Sequence, residues 1–141
     1  MVVVSYGLND SGQGLDGLKN YEKGLSDIFE TLKEKDIETV FITQNTMNYS
    51  VSPHLKEENL KNLAESFAKN IQNNGVLHAY FEKAKEVCAK YGVKVCDLHS
   101  VWERLQQIGV DTTELLANKL NHPVREFHYY MAIKLLETVL L

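Results

Sequence analysis

Val2-Val3-Val4 is an unbroken apolar run that continues through Ser5 to Tyr6, then breaks into Gly7-Leu8-Asn9-Asp10-Ser11-Gly12. Such a run suits a strand covered on both faces, as in a parallel sheet. The period then changes. Tyr21, Leu25, Ile28, Phe29 and Leu32 recur at helical spacing and predict a helix that stops near Asp36. Glu38 to Asn45, rich in β-branched and aromatic residues, predicts a second strand. Thr46 to Pro53 has no period and predicts a polar loop. Leu60, Leu63, Ala64, Phe67, Ala68 and Ile71 mark another helix, punctuated by Asn73-Asn74-Gly75. Leu77, Tyr80, Phe81, Ala84, Val87 and Cys88 carry the stripe on to Tyr91, as one kinked helix or two. Gly92 is a helix stop, and Val93 to Ser100 predicts a third strand with Asp97 at its tip. Val101 to Ile108 reads as a short helix, and Asp111-Thr112-Thr113-Glu114 has N-cap chemistry for one further turn. The last helix is expected over Phe127 to Leu140, amphipathic because Lys134 and Glu137 interrupt its apolar residues.

Strand and helix alternate throughout, which implies parallel strands joined by helical crossovers in a single α/β domain over residues 1–141. Ligands of such sheets bind beyond the carboxyl ends of the strands. The three tips are Gly7 to Ser11, Gln44 to Asn48 and Asp97 to Ser100. The stretches Gln44 to Ser52 and His99 to Trp102 are expected to be open and to favour a polar substrate over a lipid.

Composition narrows the picture by exclusion. Among 141 residues, 44% are hydrophobic and 24% charged, which is ordinary for a folded domain. A net charge of −4, with Lys and Glu interspersed, argues against a nucleic-acid partner. No apolar run reaches the ~20 residues of a membrane span, and the start lacks the charged and apolar regions of a signal peptide. The two cysteines, Cys88 and Cys96, make no disulfide framework and read as buried free thiols of a reducing, cytoplasmic compartment. With five scattered histidines they show no zinc-type spacing, so no metal and no cofactor are expected.

The candidate chemistry lies in two loops. Asn121-His122-Pro123-Val124 holds His122 immediately before a proline, which restricts it to extended geometry, and Pro123 is expected to start the final helix at its first turn. A neutral imidazole is suited to moving protons near neutral pH. Gly7-Leu8-Asn9-Asp10 follows the first strand. Taken with "YGVKVCDLHS" and "NHPVREFHYYMA", in which a second histidine, His128, follows His122 by six residues, the ordered set resembles the later blocks of the SGNH (GDSL-type) hydrolases.

That resemblance implies a flavodoxin-like three-layer sandwich and an esterase or lipase acting by Ser-His acyl transfer on a small ester. Asn9 would donate its amide to the oxyanion, Gly7 would let the backbone turn beneath it, Asp10 would anchor the loop, and His122 would be the general base. Two departures stand out. The acid of the family lies three residues before its histidine, where this chain has Lys119; Asp97, Asp111, Glu114 or a backbone carbonyl would have to replace it. The Gly-Asp-Ser nucleophile block and the following oxyanion-glycine block are absent. Asp10-Ser11 imitates Asp-Ser, but Asn9 stands where the glycine would be, which argues against Ser11 as nucleophile. The chain therefore resembles the C-terminal part of the fold without its first strands, inactive alone. Val2 to Tyr6 would then be an exposed apolar edge, inviting self-association or completion by a missing half. The competing expectation is a non-catalytic α/β binding or association module.

Overall fold

Three short parallel strands organise the chain, in the spatial order β1 (Val2–Val4), β2 (Thr39–Ile42), β3 (Lys94–Cys96). The computed structural model describes residues 1–141. The register sets Val4 beside Phe41 and Phe41 beside Val95, so these three share one face. Val3 and Val40 share the opposite face, as do Ile42 and Cys96. The fold is mixed α/β.

Helices α1 (Leu18–Glu34) and α3 (Val76–Tyr91) pack together over the Phe41 face. Their stripes are those predicted: Tyr21, Leu25 and Phe29 from α1, and Leu77, Tyr80, Phe81, Ala84, Val87 and Cys88 from α3. Phe29 meets Phe41 edge-on, with ring centroids 6.2 Å apart at 87°. Each such side chain, fully buried, contributes about 1.5–3 kcal/mol, so this cluster holds the sheet to its helices.

The stripe from Leu60 to Tyr91 belongs to two helices. The first, α2 (Glu58–Phe67), runs into one π-type turn (Ala68–Gln72), and Gly75 at φ 79° separates it from α3. Gly92, at φ 70°, caps α3 in the left-handed conformation that glycine reaches without strain.

Three expectations are corrected at the ends of elements. The third strand stops at Cys96 rather than running to Ser100, and Asp97 stands at its tip as expected. Asp97 caps α4 (Leu98–Gln107), accepting from Ser100 N at 3.1 Å. Pro123 does not open the last helix: it pairs with Leu116 in an isolated antiparallel bridge, and α5 (Arg125–Leu140) follows Val124. Nor is α5 simply amphipathic. Phe127, Tyr130, Met131, Lys134, Leu135 and Thr138 form a half-buried stripe, while Tyr129, Ile133, Leu136 and Leu140 form a second, exposed apolar one. The inner stripe packs against β3 on the Cys96 face, and Phe127 lies against Trp102 with centroids 4.7 Å apart. No helix is long and apolar enough to cross a membrane.

Candidate functional site

Gly7 leaves β1 at φ 129°, a region essentially reserved for glycine. A Cβ there would lie 2.8 Å from Phe81 Cε1 and 2.9 Å from the Tyr21 hydroxyl oxygen. The backbone thus passes directly over the core. Gly7 N donates to Asp10 Oδ2 at 3.0 Å, closing the loop on itself. Tyr21 Oη donates to Tyr6 O at 3.0 Å and Tyr80 Oη to Gly14 O at 2.8 Å, bolting both ends of the segment to the helices. Asn9 sits exposed at the apex, and its amide makes no capping bond. Ser11 is fully buried, with Oγ donating to Leu8 O at 2.7 Å.

His122 is held by a different device. Residues 115–124 form a tight reversal, with Ala117 N donating to His122 O at 2.7 Å and Val124 N to Leu115 O at 2.9 Å. At its tip the Asn118 side-chain oxygen accepts from the backbone N–H of Leu120, Asn121 and His122. Lys119 takes the left-handed conformation (φ 58°) that the reversal needs. The ring of His122 is exposed.

Both loops are tied to the carboxyl end of β2. Leu8 N donates to Gln44 Oε1 at 3.1 Å, and Asn45 Nδ2 donates to Asn121 O at 2.9 Å. Asn9 and His122 therefore leave the same end of the sheet, each one residue from a tie to neighbouring positions.

The acids considered for His122 are engaged elsewhere. Lys119 Nζ reaches Glu114 O at 2.8 Å and Glu114 Oε2 at 2.9 Å, and Ser52 Oγ donates to Glu114 Oε1 at 2.6 Å. Those bonds, Ser52 first, hold the Glu114 carboxyl below the usual range. Asp111 accepts from Thr113 N at 3.0 Å. Asp97 accepts from Thr43, Lys85 and both Ser100 donors. Burial pushes its pKa up, but the bonds from Ser100 and Lys85 prevail and bring it down to about 2.

The expected open polar tips are mostly closed, with Ser50, Val51 and Ser100 exposed. Thr43, Asn45, Thr46, Asn48, Ser52, His99 and Trp102 are all buried. Asn48 shows why: its Nδ2 donates to Ala64 O at 2.8 Å and to Ser50 O at 3.0 Å, and its backbone N to Leu120 O at 2.8 Å. The polar residues after β2 supply the hydrogen bonds of an internal loop that pins α2 and the His122 reversal. One concavity of about 430 Å³ is lined by Ser50, Val51, Glu65 and Lys69, and two more lie along the β1 edge. A groove of about 270 Å³ lined by Tyr6, Asp10, Gln13, Tyr21 and Ile28 adjoins one of about 720 Å³ lined by Val2 to Tyr6, Ile28 and Leu32.

A second cluster was not foreseen from sequence spacing. His78 in the first turn of α3 meets His99 and Glu103 of α4, with one ligand atom from each within 4.8 Å of the others. The i,i+4 pairing of His99 and Glu103 was the available signal; their meeting with His78 depends on how α3 and α4 lie. No family model, curated protein or solved structure matches the chain.

Proposed function

We propose that this chain carries the general base and part of the oxyanion hole of an SGNH-type carboxylic-ester hydrolase acting on a small ester. The nucleophilic serine would stand on a segment outside these 141 residues. One observation supports this above the others: the two ties to β2, Leu8 to Gln44 and Asn45 to Asn121, set exposed Asn9 and exposed His122 at one end of a parallel sheet. The serine hydroxyl would attack the acyl carbonyl while His122 takes its proton, and the Asn9 amide would donate to the oxyanion. His122 would return the proton to the leaving alcohol; water, deprotonated by His122, would then attack the acyl-serine carbonyl, and that proton would pass to the serine oxygen as the acid leaves.

The bare surfaces agree with that architecture. With α1 and α3 on one face and α5 toward the other, a strand and helix added beside β1 would complete a three-layer sandwich. They would cover Val3, Tyr6 and the outer stripe of α5, which are exposed now.

The test uses the polypeptide as the cell makes it, isolated through a terminal tag and assayed with p-nitrophenyl acetate and a fluorophosphonate. The expected result is labelling of a serine outside these residues, with Asn9→Ala lowering kcat about 10²–10³-fold and His122→Ala about 10²–10⁴-fold. The 141-residue chain alone should show no hydrolysis above buffer. Hydrolysis by the isolated chain that is lost in both His122→Ala and Ser11→Ala would instead place a complete site here. Absence of labelling and hydrolysis in the cellular polypeptide would leave the association module, which the unpaired β1 edge favours.

A further inference from the structure

The cluster of His78, His99 and Glu103 belongs to neither loop of the proposed esterase site. His78 Nδ1 lies 3.0 Å from Glu103 Oε1 and 3.2 Å from Oε2. His99 Nε2 lies 3.3 Å from the same Oε1. Two imidazole nitrogens thus converge on one carboxylate oxygen. Donor atoms about 2.0–2.1 Å from a tetrahedral zinc ion sit about 3.3 Å from one another, so the spacing here already approaches that of a coordination shell.

The state of His99 is the second observation. Its side chain is 3% exposed, yet neither ring nitrogen makes a hydrogen bond. The polar group beside Nε2 is Glu103 Oε1, at 3.3 Å. A buried polar atom left unpaired costs about 1–3 kcal/mol, and native structures rarely leave one without a reason. His78 Nδ1 is hydrogen-bonded to Glu103 and His99 Nε2 lies against the same carboxylate, so one ligand atom from each residue lies within 4.8 Å of the others.

The cluster is also held rigidly. His99 N donates to Thr43 Oγ1 at 2.9 Å, Thr43 Oγ1 donates to Asp97 Oδ1 at 3.0 Å, and Asp97 caps α4. Phe81 packs against the His99 ring with centroids 4.7 Å apart. The His78 side chain is 49% exposed, so the cluster opens to solvent on one side.

We infer that His78 Nδ1, His99 Nε2 and the Glu103 carboxylate form a binding site for a divalent transition metal, zinc by the chemistry of the donors. Two imidazoles and one carboxylate suit Zn²⁺ better than Mg²⁺ or Ca²⁺, which favour oxygen-rich shells. Three protein ligands leave a position for water or a substrate oxygen, the pattern of a reactive rather than a purely structural zinc site. The site is independent of Asn9 and His122 and does not rest on the esterase proposal.

The experiment is titration of the chelator-treated chain with Zn²⁺ alone, followed by calorimetry and by thermal unfolding. One ion per chain and a raised Tm are expected. His78→Ala, at a half-exposed position, and Glu103→Gln, nearly isosteric, avoid the folding risk of truncating buried His99. Each should weaken Zn²⁺ binding at least about tenfold and abolish the Tm shift, while Mg²⁺ produces neither effect in the parent. Stoichiometric binding unchanged in both variants, or no binding by the folded parent at neutral pH, overturns the site.

Discussion

Gly7 is the residue on which the Asn9 loop depends most directly. Its φ of 129° and the proximity of Phe81 and Tyr21 act together, since a methyl group there is both strained and overpacked. Gly7→Ala should cost about 3 kcal/mol in urea unfolding, well above an ordinary surface substitution. Asp97 makes the corresponding argument for charge. Its carboxyl falls to about 2 in the folded chain, against about 3.9 when unfolded. The depressed value means that the stabilisation is present above pH about 4 and is lost as pH falls toward 2. Asp97→Asn should therefore destabilise the protein by about 2 kcal/mol at neutral pH. The gap between the two proteins should close as unfolding is measured down from pH about 4. A gap that stays constant to pH 2 would mean that packing, not charge, holds this cap.

Among the elements, β1 and α5 are the least complete. Val2, Val3 and Tyr6 are exposed along the edge strand, and Tyr129, Ile133, Leu136 and Leu140 along the outer stripe of α5. A helix apolar on two sides belongs inside a larger packing arrangement, and an unprotected edge pairs with whatever strand it meets. Ile133→Lys and Leu136→Glu should change the unfolding free energy of this chain by less than about 0.5 kcal/mol each, because those side chains touch little. A cost of several kcal/mol in urea unfolding would show that the stripe is packed in solution.

For the whole molecule, these surfaces predict concentration-dependent association of the isolated chain. Sedimentation velocity should show species larger than the 16.1 kDa monomer, and Val3→Lys should shift them back toward monomer by placing a charge on the edge. A chain that stays monomeric over a hundredfold concentration range would remove self-association as the role of this edge. The inner packing of the molecule is otherwise closed. Two buried thiols, Cys88 and Cys96, add no crosslink, and burial pushes the Cys88 thiol up to about 12.

The order and type of the elements could be read directly along the chain. Tyr21, Leu25 and Phe29, or Tyr80, Phe81, Ala84 and Cys88, lie within a few residues of one another, so their period reports the local backbone and the face it buries. The stops at Asp36 and Gly92 were equally local, since both need a left-handed backbone at one residue. Long-range encounters were not written in any such period. The residues after β2 looked like a solvated loop because polarity alone does not distinguish a side chain facing water from one donating to a buried carbonyl, as Asn48 does to Ala64. Lys119 was legible as a departure from an acid, but its turn toward Glu114 follows from the reversal around Asn118. His78 and Glu103 are 25 positions apart, and only the packing of the third helix beside the fourth brings them together. Local spacing determines which face a side chain occupies; the angle and offset between helices determine which faces meet.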